Sequence, residues 1–367
     1  MRWTGQDSAS RTTGARSSLR NRRILLGGGV LGLLLALAPS LALAAGNPPR
    51  PDWNPGAPWA PLTPASPEML EISNLFWVML VLSAIVFVIV AGAIGFSVFR
   101  FTAKPGQPEP TQVFGNRTVE VTWTLIPFVV LIVAFGFTVH SIHDINTPPK
   151  ASHPLNIIAM GHQWWWEFDY PTLGVTTANE LHIPAGREIH FHVESADVIH
   201  SFWIPRLQRQ IDANPGQDNA VFVQMPRPGV YDGACYEYCG TGHAWMKFRT
   251  IVQPQAAFNA WVKHQLQPAA TPKTALAALG KKLFLGNTCV QCHAISGTSA
   301  GGTVGPNLTH VGSRWAIAAG AGPMTKQALM DWIHDPNYFK PGALMPPFPL
   351  FSQKDLQALA AYLYSLK

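Results

Sequence analysis

Three long apolar runs dominate the N-terminal part of the chain, and polar residues mark where each begins and ends. Residues 24–43 are apolar, follow Arg20, Arg22 and Arg23, and close on Ala42-Leu43-Ala44-Ala45. A charged start, an apolar middle and a small-residue A-x-A end make a secretory signal, so residues 1–45 are expected to be a signal peptide cut after Ala44 or Ala45. Residues 46–71 are rich in Pro, Gly and Ala and read as an extended outer segment. The second run, 72–101, holds no charge between Glu71 and Arg100; the third, 121–139, repeats the pattern around Pro127. About 20 apolar helical residues cross a bilayer core, so both runs predict membrane spans. The loop between them carries Arg100, Lys104 and Arg117, whereas residues 45–71 carry only Arg50. Positive residues stay on the cytoplasmic side, so the loop lies inside and everything after His140 lies outside. A transmembrane helical hairpin over 72–142 follows.

Beyond the hairpin the period shortens. Glu188-Ile189-His190-Phe191-His192-Val193 alternates, and short β-branched and aromatic runs are separated by Pro, Gly, Asn and Asp. Residues 143–255 are therefore expected to form a β-sandwich or Greek-key barrel. Gln-Pro-Ala-Ala-Thr-Pro lies in a linker, 256–274, that follows a short helix. From 275 to 367 the helical period returns, in a run at 275–284 and again at 353–366. The composition, 47% hydrophobic and 13% charged, suits a chain partly dissolved in lipid. The formal net charge is +6, but much of the excess sits in the first 23 residues, which argues against nucleic-acid binding.

Only four cysteines occur, as two close pairs. The first lies in Cys235-Tyr236-Glu237-Tyr238-Cys239-Gly240-Thr241-Gly242-His243-Ala244-Trp245-Met246. Thiolate and thioether are soft donors and imidazole suits copper. Zinc would take Cys and His but has little use for Met246. A second imidazole is available from His200 in Asp197-Val198-Ile199-His200-Ser201-Phe202. A disulfide between Cys235 and Cys239 is the plain alternative in an oxidising compartment. His190 and His192, expected on opposite faces of a strand, are set aside as structural, and His140, His143, His153 and His182, which lack a partner at ligand spacing, stay unassigned. The second pair lies in Cys289-Val290-Gln291-Cys292-His293, a C-x-x-C-H run that attaches c-type haem through two thioethers and a proximal histidine. Met345, in Pro341-Gly342-Ala343-Leu344-Met345-Pro346, is the expected sixth ligand, with Met324 as its rival.

Over about residues 65–255 these features resemble subunit II of haem–copper cytochrome c oxidases, whose motif C-x-E-x-C-x3-H-x2-M is complete here. The resemblance implies a cupredoxin-like domain with a dinuclear copper centre, two coppers bridged by Cys235 and Cys239. His200 and His243 would each complete one copper, Met246 would bind one, and the Glu237 carbonyl the other. It also implies a magnesium ion at the junction with subunit I, held by the Glu237 carboxylate. Trp164, in Gly161-His162-Gln163-Trp164-Trp165-Trp166, matches the residue where electrons enter. Glu120 matches a glutamate at the cytoplasmic mouth of a proton path. Asp212 matches a loop facing subunit I, although Gln217 departs from the usual pattern there.

Residues 275–367 resemble class I cytochromes c, with Gly305-Pro306-Asn307-Leu308 near the proximal side. The expected protein is a multidomain membrane protein: two-helix hairpin, cupredoxin-like β-sandwich and all-α cytochrome c domain. It would sit in a bacterial inner membrane with its copper and haem domains on the periplasmic side. It would take electrons from an external cytochrome c or other respiratory donor and pass them to subunit I, with subunit III as a further partner. Oxygen reduction to water, coupled to proton translocation, would occur in subunit I. A copper-containing nitric oxide reductase subunit is the alternative, and Glu237 and the Asp212 loop favour the oxygen enzyme.

Overall fold

Ser66 and Asn116 decide where the two long helices begin. In the computed structural model, which describes residues 63–148 and 153–367, the first helix, α1, spans Pro67–Arg100 and the second, α2, spans Arg117–Asn146. The expected signal segment and residues 46–62 of the expected outer segment lie outside the described residues. Ser66 Oγ accepts from Met69 N, and Pro67 takes the first helical position, where its missing N–H costs nothing. The helix thus starts five residues before the apolar run suggests. Glu68 and Met69 in its first turn are buried against the outer domain, and Glu68 Oε1 accepts from Gln224 N at 2.9 Å. Asn116 caps α2 by accepting from Thr118 N and Val119 N. At 1.5 Å per residue both helices exceed the roughly 30 Å hydrocarbon core. Their flanks are apolar and exposed, with Val86 at 57% and Leu131 at 64%.

The outer domain is a sandwich of two five-stranded sheets. Its strands are β1 (Leu155–His162), β2 (Trp165–Tyr170), β3 (Val175–Ala178), β4 (Glu180–Pro184), β5 (Ile189–Ser195), β6 (His200–Trp203), β7 (Ile211–Ala213), β8 (Asn219–Val223), β9 (Gly229–Cys235) and β10 (Lys247–Gln253). One sheet runs β3-β2-β1-β5-β8 and the other β4-β10-β9-β6-β7. Strand β1 alternates buried and half-buried along its length, as a one-sided sheet requires. Trp166, Phe168, Phe191, Phe202 and Phe248 fill the space between the sheets, all fully buried, with Phe202 and Phe248 stacked at 5.0 Å. Each such ring buries on the order of 200 Å², and truncating one costs about 3–5 kcal/mol. This core fixes the strand ends that carry the site.

The stretch expected as linker begins with a helix, α3 (Gln255–Gln265). Phe258 and Trp261 on its inner face pack against Tyr170, and Trp261 stacks on His182 at 4.3 Å. Only 266–274 connects the modules without regular structure.

The C-terminal module has four helices: α4 (Ala275–Leu285), α5 (Cys289–Cys292), α6 (Lys326–His334) and α7 (Gln353–Ser365). Thr274, Thr325 and Ser352 cap α4, α6 and α7, each accepting from a backbone N–H three residues on. Helices α4 and α7 pack on each other through Phe284 and Tyr362. Two strands of two residues each, β11 (Ala316–Ile317) and β12 (Gly322–Pro323), interrupt an otherwise helical module.

Candidate metal and cofactor sites

The pairing of β6 with β9 sets Phe202 opposite Cys235, so His200 at the start of one strand meets the thiol at the end of the other. The loop 236–246 then turns back over this edge before β10 begins. Cys235 Sγ lies 3.7 Å from Cys239 Sγ and 3.9 Å from His200 Nδ1. Cys239 Sγ lies 3.6 Å from His243 Nδ1 and 3.9 Å from Met246 Sδ. The Glu237 carbonyl oxygen is 3.2 Å from Cys235 Sγ. The six expected positions thus converge on one spot. His200 and Met246 are fully buried, and Cys235 and Cys239 nearly so. A disulfide needs its sulfurs about 2.05 Å apart, and both thiols here are free. Two sulfurs at 3.7 Å can share metals at bonds of about 2.3 Å, so the donor set fits bridged copper.

Electrostatics prepare the pair. The hydrogen bond shared with Cys239 holds the Cys235 thiol down at about 4, while the same contact holds Cys239 well above its ordinary range. One proton leaves readily and the second stays until a cation displaces it. Burial disfavours a charged His200, yet hydrogen bonds to Asp197 and Cys235 outweigh it and raise the imidazole pKa.

Sequence reasoning missed Asp197. Its Oδ1 is 2.7 Å from His200 Nε2, and its Oδ2 accepts from Gln163 N at 2.7 Å. A carboxylate on the outer nitrogen turns Nδ1 toward the thiolates and fixes the tautomer. Gly161 was missed too: a Cβ there would stand 2.7 Å from His200 Cδ2. The sequence clues were only a short spacing, Asp197-x-x-His200, and a glycine inside an alternating strand. His190 and His192 share the outer face of β5, as residues two apart do, and meet Glu188 and Asp218 away from the thiols.

The second site is a cavity of about 330 Å³, within the range of small-molecule sites. Cys289, Cys292, His293 and Met345 all line it, whereas Met324 packs in the module core outside the lining. His293 Nδ1 donates to the Pro306 carbonyl at 2.8 Å, so Nε2 keeps its lone pair for a metal. Burial also pushes the imidazole pKa down, which favours the neutral form. Gly305 permits this approach, since a Cβ would lie 2.6 Å from His293 Cε1. Paired thiols, a neutral oriented imidazole and a thioether around an apolar cavity fit a covalent c-type haem.

Trp164 joins the two sites. Its indole N–H donates to the Cys239 carbonyl at 2.9 Å, and Gln163 Nε2 donates to the same oxygen at 2.8 Å. Trp164 and Trp165 also help to line the haem cavity, while Trp166 belongs to the sandwich core. Further contacts close the junction: Glu180 Oε2 accepts from Trp315 N at 3.0 Å, and Arg249 stacks over Trp315 at 4.0 Å. Glu237 is exposed, and among the described residues it joins no cluster of three or more potential metal-binding side chains. Glu120 Oε1 accepts from Asn116 N at 3.1 Å, and the side chain is exposed. Asp212 is exposed on β7.

Comparison with known proteins finds a family match for each of the three modules. The model of the cytochrome c oxidase subunit II transmembrane domain matches residues 62–139, that of its periplasmic domain matches 174–253, and that of cytochrome c matches 277–367. Cytochrome c oxidase subunit 2 of Alkalihalophilus pseudofirmus is 36% identical over 311 residues, covering 83% of this chain and 90% of that protein. The Bacillus subtilis protein of the same name is 30% identical over 358 residues, covering 91% and 97%. A crystal structure of the periplasmic domain of cytochrome oxidase subunit II from Bradyrhizobium japonicum is 32% identical, covers 32% of this chain and 96% of that one, and has a TM-score of 0.31. This chain belongs to the cytochrome c oxidase subunit II family, as a membrane-anchored member with a periplasmic copper A domain and a fused cytochrome c domain.

Proposed function

We propose that this chain is the electron-input subunit of a proton-translocating oxidase, taking electrons into its fused haem c and delivering them through two coppers to the haem of subunit I. The observation that carries this reading is Trp164, which lines the haem cavity and donates to the Cys239 carbonyl. When bound, the copper pair and the haem supply one-electron redox capacity at two closely placed points. Cys235 and Cys239 would hold the metals with their thiolates. His200, His243, Met246 and the Glu237 carbonyl would complete them, held by a rigid sandwich edge that limits reorganisation. Cys289 and Cys292 would anchor the haem, and His293 and Met345 would supply its protein ligands.

The exposed Glu237 carboxylate is assigned to a magnesium ion shared with subunit I. Glu120, whose carboxylate also helps cap α2, is assigned to the mouth of a proton path into that subunit. Subunit III and a soluble cytochrome c or other respiratory donor complete the partners. The signal segment, the bacterial inner membrane and an inward-facing 101–116 loop complete the topology.

Purified full-length chain should contain two coppers and one covalent haem, and show a near-infrared mixed-valence copper band. The co-purified membrane complex should take up oxygen with reduced cytochrome c. A chain that binds a single zinc, or a complex that consumes nitric oxide and not oxygen, overturns the reading.

A further inference from the structure

Lys340 is the least expected charge in the molecule. Its side chain is 5% exposed, and its ammonium donates to the Trp164 carbonyl across the junction of the two modules. An ammonium has three donors, and this bond uses one. Among the described residues no carboxylate comes within salt-bridge reach of it. Burial pushes it down to about 7, against a smaller opposing pull from Cys239 of the metal site. A buried cation without a counter-ion is costly, and chains keep one where an anion arrives to meet it.

The cavity beside Lys340 identifies that anion. Two charged side chains line it, Lys340 and Arg314, both cationic, and no aspartate or glutamate joins them. Arg314 already has partners: it donates to the Asn307 carbonyl at 2.6 Å and feels the charge of Glu180. A haem brings two carboxylates into this lining. Two cations facing two carboxylates would balance the site, and Lys340 is the cation left without an acid of the chain.

We propose that Lys340 pairs with a haem carboxylate while it holds the Trp164 carbonyl, so that one ammonium links the cofactor of one module to the backbone beside the metal loop of the other. Lys340 is then a positioning residue for electron entry. The inference rests on the haem reading, whose failure would already show in the unsubstituted chain as the absence of a covalent haem band.

The test uses the full-length holoprotein and compares Lys340→Gln with Lys340→Arg. Glutamine can still donate to the Trp164 carbonyl but carries no charge. In Lys340→Gln the haem c should become harder to reduce, because an unpaired carboxylate stabilises the ferric form. A tenfold shift in the reduction equilibrium is expected, about 59 mV for one electron. Lys340→Arg should stay within threefold of the parent. An unchanged potential in Lys340→Gln overturns the pairing and leaves only a docking bond. Should Lys340→Gln fail to assemble, the redox-difference infrared spectrum of Lys340→Arg decides. A shifted haem-carboxylate band supports the pairing, and a band identical to that of the parent overturns it.

Discussion

In the copper loop neighbouring donor atoms stand 3.2–3.9 Å apart because strand pairing and a short loop put them there. In the cytochrome module the four candidate donors surround a cavity of about 330 Å³, and the surrounding apolar core closes only around whatever fills it. The first site is made by backbone and then receives its metal. The second is a mould whose cofactor completes the core. The aromatic centre of the sandwich is built mainly from strand residues, with Cys235, Cys239 and Met246 packed at its edge, whereas Phe284, Leu359 and Leu363 belong to both the haem cavity and the core of their module.

The largest expected effect separates the two modules. Replacing Cys289 and Cys292 by alanine removes covalent haem. At roughly 24 cal/mol per Å³, a persistent void of this size costs about 8 kcal/mol, comparable to the whole stability of a small domain. The cytochrome module should then lose its cooperative transition in calorimetry, while the near-infrared copper band survives. Loss of both together would break the comparison. Next comes Trp166→Ala in the sandwich, expected to cost about 3–5 kcal/mol in denaturant unfolding because it empties the core that sets the strand ends. Its effect on the haem spectrum should be small. Asp197→Ala should weaken copper binding by about 10–100-fold in a chelator titration, the usual cost of losing a carboxylate behind a metal-bound histidine. Unfolding without copper should barely change, which separates positioning from folding. The smallest effect is expected for Cys239→Ser, measured as stability without metal: within about 1 kcal/mol of the parent, with the mixed-valence band abolished.

The chemistry of the site was legible because most of it is local. Cys235 to Met246 spans one loop, Cys289 to His293 one turn, and soft donors at such spacings have few other uses. His200 was legible only beside that loop, since it reaches the thiols through the β6–β9 pairing. Asp197, Gly161 and Lys340 were not legible as parts of the sites, and Gly305 was legible as part of a loop near the haem but not for its close approach to His293. Their roles depend on which ring or carbonyl the fold sets against them, and a lone lysine before Pro341-Gly342 reads as an ordinary loop charge. The apolar runs located both membrane helices but not their first turns, which Ser66 and Asn116 begin in polar sequence. A short helix before the linker was legible but its bounds were not: α3 occupies 255–265, where Phe258 and Trp261 pack it on the sandwich, and the Pro-rich stretch follows it.

Residues 266–274, the short tether between the modules, have a consequence for affinity. A chain of that length spans roughly 17 Å even when free, and this one is pinned where Ala269 N donates to the Ser296 carbonyl at 3.0 Å, so the joined partner stays at an effective concentration in the millimolar range or above. The interface at Trp164, Trp315 and Lys340 can therefore be weak by the standards of separate proteins and still be occupied nearly all the time. Severing the tether would turn a first-order encounter into a second-order one. A junction of a few polar contacts would then depend on how much free cytochrome the periplasm holds.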